Sequence, residues 1–430
     1  MQAFHALNFA ECSKQGKSGS VWYGDSNGWR GFGKAAGMAD VSVEQVRAFR
    51  LQAHHLDGWR PRASALEVVG ACGMQNSPPG TWETALANRI EGCSSADALQ
   101  LLYGERSFMQ TWSLRGAPYV FPTAEADAFL TALVPERGEP WIYTDGIGLA
   151  LDALEIGFGE ALALVLQAMP RLDEVTIASK VALDQTLADW VEPLLPPEKR
   201  AAWRSPSMYG NPDKQTVGGA AVSFLLRPCA FLGLVTFGER DDTTPTFTSF
   251  KRWTGHALDV RPDAQARLVR KFLHCYGPAT SAQLGGWLGC SGVQARRLWA
   301  TVADELEPVC AAGSRAFVLA SDRERLCEPP AFPRDLLLLG AHDPYLDQRN
   351  RATLQSDKAL QRRIWRTVAN PGAIVLRGEV VGLWTTKKKG SKLETALELW
   401  SDEPDRTRLQ DLAEAHAAAR NLELASTNFA

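Results

Sequence analysis

No stretch of the chain approaches the roughly 20 consecutive apolar residues that a membrane span requires. The N-terminus also lacks the charged-then-apolar pattern of a secretion signal. The eight cysteines (Cys12, Cys72, Cys93, Cys229, Cys275, Cys290, Cys310 and Cys327) include no CxxC pair and no Cys/His cluster at zinc-finger spacing. A structural zinc and a disulfide framework are therefore not expected, and the thiols read as small core side chains in a reducing cytoplasm. Charge of one sign is lacking too: 46 Lys and Arg against 49 Asp and Glu leave a net charge of −3. That excludes a histone-like polycation, so any basic face has to be local.

What is present is a globular composition, 45% hydrophobic and 22% charged. A chain of 430 residues exceeds one ordinary core, so two to four modules of about 100 to 150 residues are expected. Residues 1–37 are rich in Gly and Ser without a sustained period and read as a poorly ordered extension or an upstream start. From residue 41 the order is clear. Ser42 with Gln45 has capping-box spacing, and Val43, Val46, Phe49 and Leu56 give an apolar stripe at helical intervals.

The most legible stretch is 268–320. Leu268, Phe272 and Leu273 mark one helix face ending at Gly277-Pro278; Thr280 with Gln283 and Ser291 with Gln294 are two capping-box spacings around a sharp Gly-Cys-Ser-Gly turn. The last helix is expected to bury Val293, Leu298, Trp299, Val302 and Leu306 and to point Arg296 and Arg297 outward. "LEPVCAAGSRAFVLA" then alternates through a Gly-Ser turn as a hairpin. Helix-turn-helix plus hairpin is a winged helix, a fold used for DNA and for protein contacts.

The plan recurs weakly upstream. Residues 41–135 give helices near 42–56, 64–72 and 79–92 and a hairpin turning at Arg115-Gly116, and residues 150–255 give helices followed by a hairpin-like segment. The fold class expected is α+β: winged helices at 41–135, 150–255 and 262–330, a β-rich subdomain at 335–410 and a tail at 411–430, the last 25 residues reading as a polar helix and a fraying end. In the β-rich part Arg377-Gly378 forms one tight hairpin, and Lys387, Lys388, Lys389 and Lys392 tip another. Arg349, Arg351, Arg362, Arg363 and Arg366 precede both. Such charge runs are commonly solvated faces; beside winged helices, phosphate contact gains weight.

"TWSLRGAPYVFP", "YGPATSAQLGGWLG", "AHDPYLDQRNR" and "GEVVGLWTTKKKGSKLE", in this order and spacing, resemble the winged-helix DNA glycosylases of the AlkZ/YcaQ type over about residues 41–410. The resemblance implies three tandem winged helices forming a concave surface for double-stranded DNA, excision of N7-alkylated purines including crosslinked adducts, and no metal or organic cofactor. It further implies a monomer in the cytoplasm at the nucleoid. The family's signature is Gln-apolar-Gln or Gln-apolar-Asp before a helix of the first unit. "GMQNSPPGTW" falls there: Gln75 matches the first position, Asn76 stands in place of the apolar residue, and Ser77 replaces the second Gln or Asp.

The chemistry explains what those residue types do. An N7-alkylated purine is already cationic and leaves without protonation, so the enzyme needs chiefly to hold a water at C1′ and to stabilise the developing sugar cation. In an extended segment residues 75 and 77 project to one side. Gln75, Ser77 and Asn76 are thus the catalytic candidates, with Arg115, Arg296, Arg297, Arg362, Arg363, Lys387, Lys388, Lys389 and Lys392 as DNA-binding candidates. The structural alternative is a helix start with Ser77 as N-cap and Pro78 in the first turn. His54-His55 read as helix-end residues, Asp343 as a loop-stabilising Asp before Pro, and Trp112, Tyr119, Trp287 and Trp299 as core. Two functions stay open: a glycosylase, and a non-catalytic DNA-binding protein on the same scaffold.

Overall fold

The computed structural model describes residues 38–209 and 212–429; the expectation for residues 1–37 lies outside them. The chain is α+β, with three small three-stranded sheets and one five-stranded sheet, each packed with helices. In the first sheet, strand Pro118–Pro122 lies between Met74–Gln75 and Phe108–Trp112, all antiparallel, with Gln75 and Thr111 both opposite Tyr119. Its hairpin turns at Arg115 and Gly116 as expected, both in the left-handed region (φ 55° and 69°). The second sheet repeats that order with Ile177–Ala178, Thr246–Thr248 and Thr236–Phe237. The third is the Leu306–Ala311 and Ser314–Leu319 hairpin, joined by a parallel strand, Ala39–Val41.

Local chemistry accounts for the helices that carry these sheets. Ser42 and Gln45 form a complete capping box at the start of Val43–Ala53, as do Thr280 and Gln283 at Ser281–Leu288. At Gly292–Ala300 only half of the expected box forms. Ser291 accepts from the Gln294 N–H, but the buried Gln294 amide turns inward and donates to the Ala132 and Leu133 carbonyls. Val293, expected on the buried side, is 59% exposed, because it lies off the helix face that buries Gln294, Ala295 and Leu298.

Two further expectations change. The Val43–Ala53 helix, assigned to the first unit, packs Val46 and Phe49 against Val309, Val318 and Leu326 of the third. The polar helix expected near the C-terminus is present as Arg406–Ala419, capped by Asp405, but it is followed by strand Glu423–Phe429, parallel to Lys392–Leu399, rather than by a fraying end. Leu409, Ala413 and Ala417 form its buried stripe, and Leu409 and Ala413 join the cluster of Leu336 and Leu338. An Ala- and Glu-rich composition hid that four-residue period.

The C-terminal sheet runs Leu336–Leu339, Gly372–Leu376, Glu379–Lys389, Lys392–Leu399, Glu423–Phe429. Both expected hairpins are present, at Arg377-Gly378 and at the lysine tip, where Lys389 faces Lys392. The first and third units share one core. Met109, Tyr119, Phe121 and Phe129 pack in the same cluster as Leu268, Phe272, Trp287 and Leu298, so residues far apart in the chain are fixed relative to each other. Among the described residues no helix is long and apolar enough to cross a membrane.

Candidate active site

Gln75 ends the short strand Met74–Gln75 and is half-buried at the edge of a cleft of about 260 Å³, lined also by Arg115, His342, Asp347, Arg349 and Trp365. Its amide is oriented at both ends. Nε2 donates to the Ser77 carbonyl (2.9 Å) and to His342 Nδ1 (3.1 Å), and Oε1 accepts from Arg115 Nη2 at 3.3 Å. Burial lowers the pKa of His342, with the Arg115 guanidinium adding to it and Asp347 opposing, so the ring is neutral at pH 7 and Nδ1 is free to accept.

Arg115 is the centre of the site. The left-handed hairpin turn aims its guanidinium inward: Nη1 donates to the Trp287 carbonyl (2.6 Å), and Nη2 reaches Asp347 Oδ2 (2.7 Å) and Tyr119 Oη (2.8 Å) besides Gln75. Tyr119 in turn donates to Asp347 Oδ2 at 3.1 Å. Burial raises the Tyr119 pKa, so the phenol keeps its proton and remains a donor. The site thus joins a strand of the first unit, the Ser281–Leu288 helix of the third, and the loop after strand Leu336–Leu339.

Asn76 and Ser77 are not brought to the cleft. Alternation along the strand turns Asn76 inward, where it is 2% exposed, donates to Gln110 Oε1 and accepts from the Gly80 N–H. A role for Asn76 beside Gln75 is therefore corrected to a structural one. The cleft lining includes Gln75 but not Ser77, whose carbonyl rather than its hydroxyl meets the Gln75 amide. The helix-start alternative fails as well: the helix begins at Thr81 with Gly80 as its cap residue.

Residues 68–420 match the family described as "DNA glycosylase AlkZ-like". This chain belongs to the AlkZ-like DNA glycosylase family. A curated relative, the interstrand DNA cross-link repair glycosylase of Streptomyces sahachiroi, is 25% identical over 358 residues, covering 80% of this chain and 88% of that protein. The solved Streptomyces sahachiroi DNA glycosylase AlkZ is similar in fold, with a TM-score of 0.71 and 22% identity over 91% of this chain and all of that one.

Within this AlkZ-like chain the basic candidates fall into different surroundings. Arg296 is exposed on the Gly292–Ala300 helix, whereas Arg297, expected to point outward, is bound by Glu139 (2.8 Å) and Glu136 (3.2 Å). Arg362 and Arg363 are exposed on the helix beside the cleft, with Arg363 paired to Glu398. Lys387, Lys388, Lys389 and Lys392 are exposed at the hairpin tip, and Lys389 meets Glu394 at 2.7 Å. His342 and Asp347 escaped the sequence reading; the only signal was a second acid four residues after Asp343 in "DPYLD". Asp343 stabilises its loop as expected, capping the Tyr345 N–H and forming a fully buried bidentate pair with Arg89 (2.8 and 2.9 Å). His54, Cys72 and Cys275 bring three ligand-type atoms within 4.8 Å in the core. The Tyr276 hydroxyl beside them is already engaged by the Pro344 carbonyl.

Proposed function

We propose that this chain hydrolyses the N-glycosidic bond of N7-alkylated purines in duplex DNA, on a scaffold of three tandem winged-helix units at 41–135, 150–255 and 262–330. The observation that carries the reading is the fixed Gln75 amide at the edge of a cleft walled by arginines. Its nitrogen is held by Ser77 and His342, so the carboxamide oxygen is the end presented towards Arg115 and the cleft. That oxygen is a preformed dipole for a water or for a developing positive charge on the sugar, and a fixed dipole needs no reorganisation during bond cleavage. Arg349, Arg351 and Arg366 in the same lining suit phosphates flanking an extruded nucleotide. The relative's printed activity extends the reading to crosslinked adducts, which are expected to be unhooked at one N7 bond.

The test is incubation with a duplex carrying one N7-methylguanine, scoring abasic sites above spontaneous depurination. Gln75→Ala is expected to lower excision by about 100-fold or more while duplex affinity changes little, since the water-holding contact belongs to the transition state. The second reading, a DNA-binding protein without chemistry, is favoured by the position of Ser77 away from the cleft. Duplex binding with no excision by the unaltered protein selects it.

A further inference from the structure

The position two residues after Gln75 carries no side chain into the cleft, yet the cleft is not short of an acid. Asp347 Oδ2 and Gln75 Oε1 accept from the same Arg115 nitrogen, so the two oxygens face one small volume. We infer that Asp347 is the second catalytic group of this site, holding the attacking water together with Gln75. This rests on the glycosylase reading above and adds to it a residue from the C-terminal subdomain, 272 positions further along the chain.

Three features support the assignment. First, the carboxylate has room for a water. Oδ2 accepts from Arg115 and Tyr119, and Oδ1 accepts from Arg349 at 3.2 Å, while a carboxylate offers about four acceptor sites. Second, Asp347 is neither sealed nor free: its side chain is 21% exposed and lines the cleft. Third, the environment fixes it. Arg115 is held by the Trp287 carbonyl, and Gly289 lies so close that an added Cβ would sit 2.9 Å from Arg115 Cα. The carboxylate is therefore aimed by a tightly packed guanidinium rather than by a mobile one.

The step balances without a further reagent. The water oxygen bonds to C1′ as the bond from C1′ to the purine nitrogen breaks. The electron pair leaves with the base and neutralises its alkylated ring, and the proton lost by water passes to the Asp347 carboxylate. The same negative charge offsets the surrounding arginines, which alone would oppose a cationic sugar.

The experiment is single-turnover excision of N7-methylguanine from a duplex, corrected for depurination, between about pH 5 and pH 9. Wild type, Asp347→Asn, Asp347→Glu and Ser77→Ala are compared, with duplex affinity and thermal midpoint measured in parallel. Asp347→Asn is expected to lose about 100-fold or more in rate, with affinity within about threefold and a thermal midpoint close to wild type. Ser77→Ala is expected to stay within about threefold of wild type. If the Asn variant unfolds, Asp347→Glu decides: it keeps the charge and the Arg115 pairing but shifts the carboxylate by about 1.5 Å, and a rate within threefold of wild type overturns the assignment. An Asn variant that folds and keeps the wild-type rate overturns it too, while leaving the glycosylase reading standing. Wild type that binds the duplex and excises nothing removes both.

Discussion

Arg89 and Asp343 illustrate what single residues do in this molecule. The pair is buried completely, and Arg89 also donates to the carbonyls of His54 and Ala85, so one guanidinium ties the first unit to the loop that carries His342 and Asp347. Arg89→Met leaves the Asp343 carboxylate buried without its counter-charge and is expected to lower stability by about 3 to 5 kcal/mol, read from the urea midpoint at neutral pH. At this scale the sequence was legible where a residue's neighbours in the chain determine its role. Gln75 was singled out only through the family resemblance, whereas Asp343 could be read as loop-stabilising from the proline that follows it. Asp347 could not, because its partners Arg115 and Tyr119 lie more than 200 positions away, and no periodicity reports such a pairing. Asn76 was misread for a different reason: strand alternation sends every second side chain to the opposite face.

Among the elements, caps and turns were read well because their chemistry is local. The Thr280 and Ser42 boxes and the Arg115 and Arg377 turns all appear. The Arg406–Ala419 helix was expected as a polar helix, but its buried alanine stripe was missed, since small side chains carry little hydrophobic contrast. That helix also carries a pH response. His416 packs edge-on against Trp384 (4.8 Å), and burial, aided by Arg420, lowers its pKa to about 4. The unfolded imidazole titrates near 6.5, so between those values the unfolded chain binds the proton more readily, and stability falls as pH drops from about 6.5 to 4. Denaturant midpoints across that window are expected to decline by an amount on the order of 2 kcal/mol from this group. His416→Leu is expected to flatten the slope. His55, also lowered to about 4 by burial, accounts for part of what remains.

The molecule as a whole carries a net charge of −3, the wrong sign for an anionic partner, so DNA contact has to come from where the cations sit. The lysine hairpin concentrates them at one exposed tip beyond the sheet's core. Lys387→Glu with Lys388→Glu is expected to weaken duplex binding and to reduce the dependence of log affinity on log salt by roughly two phosphate contacts, with little change in excision rate at saturating protein. A recurring helix-and-hairpin pattern was visible in the sequence, from which three modules were expected. Their shared core was not, because the pattern describes each module and not which face it turns to the next.

The parallel pairing of Ala39–Val41 with Val309–Ala311 bears on how the protein is made. The Val43–Ala53 helix emerges from the ribosome about 270 residues before the strand and helices it packs against. At ordinary elongation speeds of about 5 to 20 residues per second, its apolar side waits roughly 15 to 55 s for a partner. Folding therefore cannot finish in the order of synthesis, and the first of the described helices to be translated is among the last to be sealed.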